Sequence, residues 1–236
     1  MRPIALARLL QLSSQALPIG GFSHSHGLEA AIDQRIVTGE GSLLDWISGV
    51  LEFSMKSFEI PSMRSMAATW VRRDPAALAA LNAEYLSTRE SAEIRAAAVQ
   101  MGFSLCTLVC TLPDLPTGTI NTLRAMHEPS LPCAWSATTT AWEIEPQDSV
   151  LGYLWAWAEN QVLVAMKAVP IGQSAGQRVL LAMGRRIADV AAELPSAGGD
   201  THGIGANSLD DCSNFTPGLA ILSSQHETQY SRLFRS

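Results

Sequence analysis

Apolar residues recur along this chain at the helical interval rather than at the strand interval. In SLLDWISGVLEFSMKSF, Leu43, Leu44, Ile47, Val50, Leu51, Met55 and Phe58 follow the i, i+3, i+4, i+7 template, which predicts an amphipathic helix capped by Ser42. Pro61 interrupts the continuing pattern and predicts a kink or an end, with Met63 to Arg72 as a further helical piece. Asp74 and Pro75 restart the chain as cap and first helical residue, and the Ala-, Leu- and Glu-rich run to Thr111 is the longest helix expected. After the turn cluster LPDLPTG, Thr119 to Glu128 reads as a short helix closed by Pro129. Cys133 to Trp142 reads as another, although its threonine run also suits a strand. Asp148 to Val169 is apolar almost all round, and Gln173 to Leu194 repeats the period with Val179, Leu180, Met183, Ile187 and Val190 facing inward. No stretch alternates cleanly with hairpin turn signals. The expected fold is therefore all-α, a single-domain bundle of roughly eight to ten helices.

Two segments break the pattern. Pro195 to Asn214 carries four glycines and three aspartates with few apolar residues, which predicts a mobile, solvated loop. It divides a helical core domain, 1–194, from a C-terminal segment and tail, 215–236. LPIGGFSHSHGLEAAI, from Leu17, is the other. Pro18 and Gly20-Gly21 require a tight loop, and Ser23 or Ser25 is placed to cap a helix starting near His26.

Composition narrows the function classes. With 236 residues, 47% of them hydrophobic, the chain can bury a full core. A net charge of -6 without a basic run argues against a nucleic-acid or anionic-membrane partner. The longest apolar stretch holds Glu159, Asn160 and Gln161 at its centre, where hydrocarbon penalises them, so it predicts a buried helix and not a membrane span. Four cysteines in no disulfide-like framework, and no leader-like opening, point to the cytoplasm.

Candidate chemistry is sparse. Gly20-Gly21 precedes a helix start that could cradle an anion, but no phosphate-loop or dinucleotide motif occurs. His24 and His26 form an H-x-H pair short of the ligands a transition metal needs. Cys106 and Cys110 sit among apolar residues as small hydrophobes of the core. Lys167, a lone cation near the end of an apolar helix, either meets the helix dipole or contacts a partner. The last eleven residues, HETQYSRLFRS, pair arginines with a Leu-Phe step and a tyrosine, a composition suited to docking rather than fraying. A metal-dependent hydrolase using His24, His26, His226 and Glu227 is the alternative class, motivated by histidine placement alone.

Three blocks, LLQLSSQALPIGGFSHSHGLE, ENQVLVAMKAVPIGQSAGQR and HETQYSRLFRS, resemble the three signature regions of the urease accessory protein UreF family, in the family's order. The resemblance implies a non-enzymatic, all-helical cytoplasmic homodimer, a nickel-insertion chaperone with no tightly bound cofactor and nickel at most in transit. It implies a bridge between UreD (also called UreH) and the GTPase UreG, coupling the GTPase cycle to nickel delivery into apo-urease. It places Tyr230, Arg232, Leu233, Phe234 and Arg235 of the tail against UreD, and Glu29 and Lys167 at partner-binding positions, Lys167 facing the GTPase. His24 and His26 fall at positions that vary in the family, and the loop from 195 to 214, with His202, is longer than the pattern needs. A helical adaptor serving partners outside urease maturation is a third reading.

Overall fold

The computed structural model describes residues 2–193, 209 and 212–236. Most of the loop expected at 195–214, with His202, lies outside the described residues. Among the described residues the chain forms eleven α-helices with a short 3-10 turn and one π-helical stretch, and no strand. Two of the helices, α1 (Pro3–Leu12) and α11 (Pro217–His226), have no counterpart among the sequence expectations; each carries proline in its first turn, where the missing N–H costs nothing.

The organising element is a continuous helical rod from residue 40 to residue 72. It begins as α3 (Glu40–Val50), passes through a π-helix at Leu51–Glu59 and ends as α4 (Ile60–Arg72). Ser42 lies inside the first turn of α3 rather than at its cap, and its hydroxyl accepts from the Thr38 and Gly39 amides at 3.0 and 3.2 Å. Pro61 does not end the rod. It falls in the first turn of α4, and the wider register of the π stretch precedes it.

The rod joins two halves of the core. Its first part, α3, packs on α9 (Pro146–Ala168) and α10 (Gln173–Ala192), which pack on each other. Its last part, α4, packs on α5 (Pro75–Ser87) and α8 (Leu131–Ala141). The long helix expected from Asp74 to Thr111 is two: α5 stops at Ser87, and Ser91 caps a new helix, α6 (Ala92–Val109), by accepting from the Ile94 amide. Strong helix formers on both sides hid the break, and the serine was its signal. The threonine run of α8 is helical, and its hydroxyls are satisfied within the helix: Thr138 and Thr139 donate back to the carbonyls of Ala134 and Trp135 at 2.8 and 3.0 Å. A short helix, α7 (Thr117–Ala125), leads into it.

The inward faces match the expected periodicity. Val179, Leu180, Met183, Ile187 and Val190 of α10 are buried, as are Leu43, Ile47, Leu51, Met55 and Phe58 of the rod. Cys106 and Cys133 are buried thiols, and burial pushes Cys106 up to about 12. No described helix is long and apolar enough to cross a membrane. From the segment after α10, Leu209 is buried with its amide on Glu84, the Ser213 amide donates to Ser57, and the Asn214 amide group reaches Thr88.

Glycine stands at two close helix contacts, and only one of them depends on it. At Gly102, α6 approaches the backbone of Pro129–Leu131 so closely that a Cβ would overlap the Pro129 carbonyl oxygen and sit 2.7 Å from the Leu131 nitrogen. At Gly152, α9 meets the flexible side chains of Leu9 and Ser13 instead. Gly102→Ala should therefore cost about 3 kcal/mol, lowering Tm by roughly 6–12 °C. Gly152→Ala should fall within about 1 kcal/mol of neutral, because helix propensity offsets a contact that can relax. Thermal unfolding of the two variants checks the contrast; equal losses would mean that backbone crowding does not govern the α6–α8 crossing.

Candidate functional site

The loop from Leu17 to Gly27 has little regular structure, so its carbonyls need partners from elsewhere. Gly20 and Gly27 both take positive φ, 78° and 79°, and enclose a 3-10 turn at Gly21–Ser23. α9 supplies the partners. Asn160 donates to the His24 carbonyl at 2.9 Å and Gln161 to the Ser25 carbonyl at 3.2 Å, while Glu159 accepts from Gln15 at 3.2 Å. The polar triplet that interrupts the most apolar helix exists to hold this loop. The loop then enters α2 (Leu28–Asp33), which starts at Gly27 without a side-chain cap from Ser23 or Ser25.

On the opposite side of the loop lies the tail. Glu29, in the first turn of α2 and nearly buried, accepts from the backbone amides of Leu233 at 2.6 Å and Phe234 at 3.0 Å. Its Oε2 is also 2.9 Å from His226 Nε2, and the other ring nitrogen of His226 is 2.6 Å from Glu93 in the first turn of α6. Arg232 donates to the second oxygen of Glu93 at 2.6 Å. Both carboxylates sit at helix N-termini, where the helix dipole favours negative charge. The Arg235 amide donates to the Ser23 carbonyl at 2.8 Å, and the Ser236 carbonyl accepts from the amides of Ser25 and His26. The Ser236 hydroxyl lies 2.8 Å from His24 Nδ1. Lys167, exposed at the end of α9, holds its ammonium 5.7 Å from the centre of the Phe234 ring.

The fold thus brings together blocks that lie far apart in sequence, and it sorts the expected site residues. Glu29 and Phe234 are buried against the protein itself, with Lys167 and Arg232 beside them. Tyr230 is fully exposed, Leu233 is 69% exposed and Arg235 points its guanidinium outward near Gln100, so these three face solvent from a fastened backbone. Glu227 is exposed and accepts from the Glu93 amide. Glu93, Asn160, Gln161 and the bracketing of His226 were not expected. Asn160 and Gln161 did leave a trace, as amides in an apolar run; Glu93 left none.

The histidines of the loop are tuned toward neutrality. His24 is buried and, with Arg235 nearby, is held down to about 4; its Nε2 has no partner. Burial, then His24 and Arg89, hold His26 down to about 3. Their rings meet edge to face at 6.2 Å, and among the described residues no three His, Cys, Asp or Glu side chains gather as a metal site.

The UreF family model matches residues 37–184, more than half of the chain. The chain belongs to the UreF family of urease accessory proteins. A urease accessory protein UreF from Dechloromonas aromatica is 44% identical over 236 residues, covering 99% of this chain and 98% of that protein. Another from an Azoarcus species is 46% identical over 239 residues, 99% of this chain and 96% of the relative. One from Ralstonia pickettii is 40% identical over 231 residues. The match to nearly full-length relatives includes the loop and the tail that meet at Glu29, both of which lie outside the segment that the family model covers.

A histidine whose folded pKa is depressed takes up a proton more readily when unfolded, so its neutral burial stabilises the fold above pH 6.5 and that contribution is lost as pH falls toward 4. Stability should decline by about 1.4 kcal/mol per pH unit for each such histidine in that window. Denaturant unfolding between pH 7 and 4.5 should show this slope, and a His24→Asn, His26→Asn protein should flatten it. An unchanged slope in the variant would assign the acid loss to other groups.

Proposed function

We propose that the chain acts in urease maturation as a non-catalytic, cytoplasmic, homodimeric scaffold, bridging UreD and the GTPase UreG and serving nickel delivery into apo-urease. Nickel is cargo in this reading, and the chain supplies surfaces rather than a reaction. Family membership supports the general role. The observation that carries the docking role is the tail: its backbone is pinned by Glu29, while Tyr230, Leu233 and Arg235 are presented outward on a prearranged strip.

An exposed aromatic and an exposed aliphatic beside arginines concentrate binding energy when covered, and a backbone already ordered loses less entropy on docking. UreD is the partner assigned to this strip. Glu29 and Phe234 contribute to it indirectly, by holding it in place. Lys167 projects beside the same strip from α9 and is assigned to the contact with UreG. The hydrolase alternative gains no support: both ring nitrogens of His226 already lie against carboxylates, leaving no free lone pair for a metal or a substrate.

Complex formation with UreD and UreG on a sizing column tests the assignment. The full chain should form the complex, whereas a chain ending at Gln225 should lose UreD. Because that truncation also strips Glu29 of its partners, the Tyr230→Ala, Leu233→Ala double variant is the sharper probe, altering only exposed side chains. It should keep its Tm and weaken UreD binding by about tenfold or more. Lys167→Ala should weaken UreG and spare UreD. Wild-type affinity in the double variant would remove the tail from the interface.

A further inference from the structure

α6 is a surface helix without a charged outer face. It packs on α8 and α11 through one side, where Ala97, Met101, Leu105 and Val109 are buried. Its other side is open: Ala96, Gln100, Phe103 and Thr107 follow one another at three- and four-residue intervals and all are exposed, Phe103 by 60%. A helix exposed on one side ordinarily sets charged residues there, opposite its apolar stripe. Between Arg95 and Asp114 this chain has no charged residue at all. The Thr107 hydroxyl is used within the helix, donating to the Phe103 carbonyl at 2.9 Å. An uncharged face with an exposed aromatic ring has the composition of a surface that another protein covers.

The tail lies along this same helix. Arg232 donates to Glu93 at 2.6 Å and Arg235 to Gln100 at 3.4 Å, and these two α6 residues stand two turns apart on one side. The outward strip therefore follows α6 from Glu93 toward Gln100. Phe103 comes next along that line, about 5 Å beyond Gln100. A specific complex covers about 800 Å² on each partner, roughly 20–30 residues. Tyr230, Leu233 and Arg235 fall far short of that by themselves, so a protein seated on them must also cover what lies beside them.

We propose that the outer face of α6, with Phe103 as its anchor, and the tail strip form one continuous docking surface for a single partner. This rests on the reading of the tail as the UreD contact, and UreD is therefore the occupant. The face also fixes the chemistry of its counterpart: an uncharged, mainly apolar patch with a recess for the Phe103 ring. Arg235, which touches Gln100, stands where the two parts of the surface join.

Phe103→Ala and Phe103→Lys alter one exposed side chain outside the tail, so both full-length proteins should keep their Tm. Their affinity for UreD is measured by calorimetry beside that of the Tyr230→Ala, Leu233→Ala protein. Phe103→Ala should weaken UreD by about tenfold or more. Phe103→Lys should weaken it further, because it sets an unpaired charge against an apolar patch. Wild-type affinity in both Phe103 variants, with a loss in the tail variant, overturns this proposal and leaves the tail reading standing. A loss confined to the Phe103 variants, or wild-type affinity in all three, overturns the tail reading and the shared surface with it. If Phe103→Lys instead halves the mass of the chain alone on a sizing column, or removes UreG while sparing UreD, the face belongs to a second copy or to UreG, and its assignment to UreD is overturned.

Discussion

One buried carboxylate ties the two irregular parts of this molecule to each other. Glu29 receives two consecutive tail amides and faces the His226 ring, so loop, tail and α2 share a single anchor. A carboxylate withdrawn from water is tolerated when hydrogen bonds replace its hydration, and here the replacements come from 204 and 205 residues away. Neither loop nor tail has a ladder or helix of its own to satisfy its backbone. Each completes the other, and the outward strip with Tyr230 and Leu233 is a by-product of that closure.

The same loop is held from two directions. Asn160 donates from α9 to the His24 carbonyl, while the amides of Ser25 and His26 reach the tail. A few residues around His24 therefore stand between the tail and α9. The neutrality of His24 and His26 fits this position, since a charge there would have no room for hydration.

Helical periodicity carried most of the fold, because burial of one face is a local, repeating demand that α10 and the rod meet residue by residue. Boundaries were less legible. The Ala-rich run across 75–109 suits helix on either side of Ser91, and a π register leaves no distinct hydrophobic period, so Pro61 suggested a kink or an end where the rod continues. The tail's mixture of arginine, aromatic and aliphatic residues suggested a segment that docks on a partner. That its nearest docking surface is Glu29 of the same chain could not be read locally, because no pattern within eleven residues encodes a contact across two hundred. The amides at 160 and 161 were the visible half of that arrangement.

The separation between Glu29 and its partners has a consequence for how the chain comes to be built. Contacts between neighbouring helices form while the polypeptide is still emerging, but the loop at 17–27 must wait until residue 234 has been added before its anchor carboxylate is satisfied. Up to that moment the nascent molecule carries an unsatisfied Glu29 and an open loop, a state prone to local opening. A chain cut anywhere short of the tail would keep that open loop, however well its helices had packed.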